Sequence, residues 1–239
     1  MAPREEPSLS LAVYRGAMHI VIAGGHGKIA LLLSRLLADA GHRPTGLIRD
    51  PEQSADLRSA GAEPVVLDLE KSTKEQVASA LTGADAVVFA AGSGPDSGPE
   101  RKLTVDRDGA VLLAEAAVAA GVRRFVVVSS IGADEYDPSS NDGMQIYLKA
   151  KSEADAAVRA LDLDWTIVRP GGLTNDEPTG LVTVAERSDR SSISRADVAA
   201  VFAAVLETDQ TIGKQFEVVG GSTPIAEALT GLGGPTKAE

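Results

Sequence analysis

The sequence reads as an α/β protein: one domain built on a doubly wound parallel sheet. Three observations lead there. Short runs rich in Val and Ile recur along the chain, among them HIVIA (19–23), DAVVFAAG (85–92) and DWTIVRP (164–170). Strands without polar alternation are buried on both faces, as in a parallel sheet. Longer helical segments lie between them, and crossovers between parallel strands are nearly always right-handed. A glycine cluster, GGHG (24–27), stands where the first strand becomes the first helix.

The elements follow in order. After strand 19–23, KIALLLSRLLADAG sets Ile29, Leu32, Leu33, Leu36, Leu37 and Ala40 at helical spacing, with Gly41 as the stop. PTGLIR (44–49) is the second strand, and its helix carries Pro51 early and Gly61 at its end. PVVLDL (64–69) is strand three, TKEQVASALTG its helix, and DAVVFAAG strand four. A long helix to about Gly121 sets Val105, Leu112, Leu113, Ala116, Ala117 and Ala120 on one face. RRFVVVSS (123–130) is strand five, MQIYLKAKSEADAAVRALD its helix, and DWTIVRP strand six.

Then the rhythm breaks. Residues 171–192 read as loop with one short strand-like run. SRADVAAVFAAVLET is a helix capped by Ser194, KQFEVVG (214–220) a last strand, and TPIAEALTGL a small final helix. The expected domain is residues 18–232, with a small C-terminal region on the substrate side. Residues 1–17, polar and holding two prolines, and residues 233–239 read as disordered tails.

Composition narrows the function classes. The 239 residues are 44% hydrophobic and 24% charged, with a net charge of −11. Such an acidic chain repels phosphate backbones, so nucleic acid is not the expected partner. No cysteine is present, which removes disulfides and thiolate chemistry. His19, His26 and His42 lack metal-ligand spacing, so no metal is expected. No apolar run approaches the roughly 20 residues of a membrane span. The expectation is a soluble, cytoplasmic monomer or homodimer with a small-molecule substrate and no membrane partner.

The glycines raise the central chemical question. A strand entering a helix through a tight turn leaves the first helical N–H groups unpaired at the positive end of the dipole, and a pyrophosphate fits there if no side chain blocks it. Gly24, Gly25 and Gly27 are assigned that use, with His26, Lys28 and Ile29 beside them and Ala30 as the small packing residue. Gly25, Gly27 and Ala30 fit G-x-G-x-x-A; Gly24, Gly27 and Ala30 fit G-x-x-G-x-x-A. Both registers lie between a strand and a helix, the setting of a Rossmann-type dinucleotide fold. A Walker A loop is excluded, because Ile29 stands where Ser or Thr is needed.

Arg49 ends strand two, where an acid reads a ribose hydroxyl and an Arg accommodates a 2′-phosphate. Asp50 follows at once, so the signal is mixed. The reading favours NADP(H), with NAD(H) as the alternative. Asp68 and Leu69, ending strand three, are placed to meet the adenine. Ala90, Ala91 and Gly92 let the cofactor's middle pass over the sheet.

In this order, VIAGGHGKIA, LIRDPEQ, VVLDLE, AVVFAAG, GVRRFVVVSSIGA, YLKAK and LDWTIVRPGGLT resemble the atypical short-chain dehydrogenase/reductase family, in its NAD(P)H-binding, NmrA-like and flavin-reductase-like branch. The likeness spans about residues 18–220. It implies a catalytic Tyr-x-x-x-Lys pair, here Tyr147 and Lys151, four apart and on one helical face. A phenol titrates near 10, and a neighbouring ammonium favours its phenolate. Lys151 is also placed to bond the nicotinamide ribose.

The family's third group is a Ser or Thr near the end of strand five. Ser129 and Ser130 stand there, but Ile131 and Gly132 occupy the next positions, where many relatives carry the hydroxyl. Ser130 is the catalytic candidate, a strand-end cap its structural alternative, and Ser129 is assigned to the cofactor. Pro170, Gly171 and Gly172 resemble the turn beside the nicotinamide. His26 replaces the family's usual Thr and is not read as catalytic.

The loops 134–142 and 173–182 are expected to line the substrate side, and their acidity disfavours anionic substrates. The implied activity is NADP(H)-dependent hydride transfer to or from a small carbonyl, quinone or flavin. The alternatives are a non-catalytic NADP(H) sensor and, disfavoured by length, a sugar-nucleotide epimerase or dehydratase.

Overall fold

The computed structural model describes residues 16–94 and 97–232; the tails expected at 1–17 and 233–239 fall outside them except for Gly16 and Ala17. The strands are β1 (His19–Ala23), β2 (Arg43–Ile48), β3 (Glu63–Val66), β4 (Ala86–Phe89), β5 (Arg124–Val128), β6 (Asp164–Pro170), β7 (Gly172–Thr174), β8 (Leu181–Ala185), β9 (Ser192–Ser194), β10 (Lys214–Gly220) and β11 (Thr223–Pro224). The helices are α1 (Lys28–Asp39), α2 (Ser54–Ser59), α3 (Lys74–Ala80), α4 (Pro99–Arg101), α5 (Gly109–Ala120), α6 (Gly143–Arg159), α7 (Arg195–Glu207) and α8 (Ile225–Thr230).

Nine strands form the main sheet in the order β11-β8-β10-β6-β5-β4-β1-β2-β3. From β3 to β10 every pairing is parallel. The order reverses between β1 and β4, and a ligand crevice forms at such a switch point, outside the carboxyl ends of the strands. The doubly wound sheet is therefore as expected. The segment read as loop with one strand-like run holds more than expected: β7, β8 and the start of β9, with β8 antiparallel to β10 and β7 paired with β9. These runs are too short to show a period in sequence, and their partners lie far along the chain.

Alternation along β1 explains the two layers. Ile20 and Ile22 face a core shared with Leu33 and Leu37 of α1 and Phe202 of α7, while Val21 and Ala23 face Leu113 and Ala117 of α5. Each fully buried Leu, Ile or Phe contributes about 1.5–3 kcal/mol. On α1 the buried stripe is Ala30, Leu33, Ser34 and Leu37; Leu32 and Leu36, expected on it, are exposed. This stripe packs α1 against both the sheet and α7. Ser194 caps α7 by accepting from the Asp197 amide at 2.9 Å, which stabilises the helix by about 1 kcal/mol.

The long helix before β5 is not uniform. Its middle, Lys102–Asp108, is π-helical, and it carries Lys102, Val105 and Asp106 to buried positions. Such widened turns recur at functional sites.

Candidate active site

Two cavities open at the switch point and share the wall Ala90, Ala91, Gly92 and Ser93. The first, about 250 Å³, is lined by Gly24, Gly25, His26, Gly27, Arg49, Asp68 and Leu69. The second, about 750 Å³, is lined by Ile29, Ser129, Ser130, Tyr147, Lys151, Pro170 and Gly171. Lys28 and Gly172 line neither; both are exposed, one at the start of α1 and the other in β7.

The glycine loop is tighter than the sequence reading supposed. Gly24 has φ +76°, and a Cβ there would lie 2.5 Å from the Ala91 Cα. At Gly25 it would lie 2.7 Å from the Gly46 Cα. These two glycines are needed because backbone meets backbone. The Gly25 amide donates to Leu47 O at 3.0 Å and the Gly27 amide to Gly24 O at 2.8 Å. The donors left open are those of the first turn of α1, which Gly27 caps without any side-chain hydrogen bond and which carries no acidic residue. An uncapped, acid-free helix start is an anion site. Gly171 follows the same rule, since a Cβ there would meet Ser191 O at 2.2 Å.

Around that loop, His26 Nε2 lies 2.8 Å from Asp56 Oδ2 and ties the loop to α2. Arg49 is exposed at the rim. Asp50 accepts from the Glu52 amide at 2.9 Å and caps the turn after β2. Asp68 accepts from the Glu70 amide and pairs with Lys71. Glu70 and Arg101, missed in the sequence, also line this cavity and pair at 3.0 Å.

The second cavity rests on buried charge. Lys151, 3% exposed, donates to Val128 O at 3.0 Å and lies 3.3 Å from Asp106 Oδ1. Burial pushes its pKa down, but Tyr147, Asp106 and Asp155 outweigh that and raise it, so Lys151 stays an ammonium. It sits 5.8 Å from the centre of the half-buried Tyr147 ring.

Beneath, Ser129 Oγ donates to Asp155 Oδ2 at 2.7 Å. Asp155 also accepts from Arg169, which grips Asp134 through two further bonds at 2.7 and 2.9 Å. Burial pushes the Asp155 carboxyl up, whereas Arg169 holds Asp134 at about 2. The Ser129 hydroxyl is thus spent on this support, and Ser130 is the serine with only a long contact, 3.4 Å to Ile131 O. Asp106 and Asp155 leave no trace in local spacing, because their partners come from other elements. Among the described residues, no His/Cys/Asp/Glu group has the makings of a metal site.

Residues 24–209 match the family described as NAD(P)H-binding. The chain belongs to that family. It is 41% identical over 216 residues to the uncharacterized sugar epimerase YhfK of Bacillus subtilis, covering 90% of this chain and 100% of that one. A solved structure from Bacillus halodurans, provisionally named an NAD-dependent epimerase/dehydratase, is 41% identical with a TM-score of 0.82, covering 89% and 99% of the two chains. The oxidoreductase ylbE of Lactococcus lactis is 32% identical with a TM-score of 0.79, covering 90% and 96%. This NAD(P)H-binding chain therefore sits among the atypical short-chain dehydrogenase/reductases, an NAD(P)-dependent oxidoreductase family, as its ordered motifs implied. Among the described residues no helix is long and apolar enough to cross a membrane.

The residues present fit a nicotinamide dinucleotide. The open first turn of α1 suits a pyrophosphate. At the shared wall, the buried Asp106 Oδ1 lies 3.3 Å from Lys151 Nζ and 3.3 Å from where a Gly92 Cβ would sit, so glycine keeps the wall open beside it.

Proposed function

We propose that this chain is an NADP(H)-dependent reductase of small carbonyl, quinone or flavin compounds. The reading is carried by the joining of the two cavities along Ala90–Ser93, one suited to a dinucleotide and the other holding Tyr147 and Lys151.

The first turn of α1 would hold the pyrophosphate, Asp68 the adenine edge, and Asp106 a hydroxyl of the nicotinamide ribose. Arg49 would take the 2′-phosphate. With Asp50 committed to the Glu52 amide, the acid that made NAD(H) an alternative has another task. When bound, the reduced nicotinamide supplies a hydride to the substrate carbon. Tyr147 donates its hydroxyl proton to the substrate oxygen as the carbonyl becomes an alcohol. The phenolate left behind faces the Lys151 ammonium, fixed by Val128 O and Asp106. Ser130 hydrogen-bonds the same oxygen and polarises it.

Tyr147→Phe is expected to cut turnover roughly a hundred- to ten-thousand-fold while leaving NADPH affinity intact, read by NADPH oxidation and by calorimetry. Unchanged turnover defeats the assignment. Arg49→Ala is expected to weaken NADPH by about tenfold or more, as loss of a charge-assisted phosphate contact does, and NADH little. Equal losses would remove Arg49 from the 2′-phosphate.

The epimerase names of two relatives favour a second reading, in which hydride returns to the same sugar-nucleotide molecule. Net consumption of NADPH separates the two, because an epimerase consumes none.

A further inference from the structure

Resting on the reductase reading, we propose that the substrate cavity takes an anionic molecule: an apolar carbonyl compound carrying a carboxylate or phosphate, bound by Lys102 and Arg195. Lys102 is 7% exposed, comes from the π-helical stretch and lines the cavity. Its ammonium donates to Ser97 O at 3.0 Å and Ser97 Oγ at 3.3 Å, both neutral. Among the described residues no carboxylate lies within ion-pair distance of it. Buried charges are ordinarily paired, because desolvation costs several kcal/mol per ion. Arg195, at the start of α7, lines the same cavity and also meets only neutral acceptors: Leu173 O, Thr174 O and Asn175 Oδ1.

Carboxylates of loop 134–142 are engaged within the protein, while Asp176 and Glu177 of loop 173–182 are exposed and do not line the cavity. Asp134 is held by Arg169, Glu135 by Arg187 and Arg190, and Asp137 by Ser139. The carboxylates that do line the cavity are committed too. Asp106 faces Lys151, and Asp142 caps α6 through the Met144 amide at 2.8 Å. Among the described residues, Lys102 and Arg195 are left as the cations of this cavity without an anion, beside the apolar Val128, Met144 and Leu173.

The test is calorimetry on the full chain loaded with NADP⁺, using benzoate and phenyl phosphate as acid probes and benzyl alcohol as the neutral one. At least one acid is expected to bind about tenfold tighter than the alcohol, as a charge-assisted contact gives; which acid wins tells carboxylate from phosphate. Lys102→Met with Arg195→Gln is expected to abolish the preference with NADP⁺ affinity and melting temperature unchanged, and Lys102→Arg to restore part of it in the Arg195 background. Equal affinities, no heat from either acid, or a preference that survives the double substitution overturns the proposal. NADP⁺ is titrated first. If it fails to bind, the coenzyme reading fails, and the acid titration on the unloaded chain judges the cation pair by the same criteria.

Discussion

The two ends of the crevice are made of different material. The glycine-loop end is backbone: a positive-φ glycine against Ala91, a second against Gly46, and the amides of an uncapped helix. The Tyr147 end is side chains, with Lys151 against Asp106, Asp155 and Asp134 against Arg169, and Ser129 beneath. Backbone sites are compact in sequence, since one turn supplies all their parts. Side-chain sites gather distant residues, each unremarked in its own segment.

The sharpest way to break this contrast is Arg169→Met. It strands the fully buried Asp155 carboxylate, and removal of one partner of a buried pair costs about 3–5 kcal/mol. Urea unfolding measures it, and a loss below about 1 kcal/mol, the size of a surface pair, would mean charge does not hold that end together.

Gly24→Ala probes the other end. Strain at φ +76° and the 2.5 Å approach to Ala91 together cost about 3 kcal/mol. Gly83→Ala has the same φ with nothing within 4 Å, so it isolates the backbone share, about 1 kcal/mol. Equal losses at the two positions would show that the close approach to Ala91 is relieved by movement.

Acid gives the smallest effect. Asp134 is held down to about 2 by Arg169, so it stabilises the fold above the ordinary aspartate range and loses that contribution as pH falls from about 4 towards 2. Its side chain is half exposed, so solvent screening limits the effect to about 1 kcal/mol or less. Asp155, pushed up by burial, works in the opposite sense as it protonates. Chemical denaturation of wild type and Asp134→Asn across that range should show a steeper loss of stability in wild type.

The same contrast explains what the sequence disclosed. The Val- and Ile-rich runs and GGHG announced the parallel sheet and its first crossover, because burial on two faces and a strand-to-helix turn are local demands. Of β7, β8 and β9 only one strand-like run was expected, since strands of three to five residues take their identity from partners elsewhere. Tyr147 and Lys151 were legible through the family resemblance, which their spacing of four alone would not have carried. Asp106 was not, because only the fold sets it 3.3 Å from Lys151 Nζ. Lys102 was not singled out in the sequence, because its burial is a tertiary fact. The acidity of loop 134–142 was legible, but a count of charges does not show which carboxylates are paired, as Asp134 is with Arg169.

Ala90 to Ser93 forms the partition common to both chambers. Anyone retargeting this protein has freedom on either side of that partition but none within it. A bulkier residue there would tax coenzyme and substrate in a single stroke, and a selection for new substrates should leave those four codons alone.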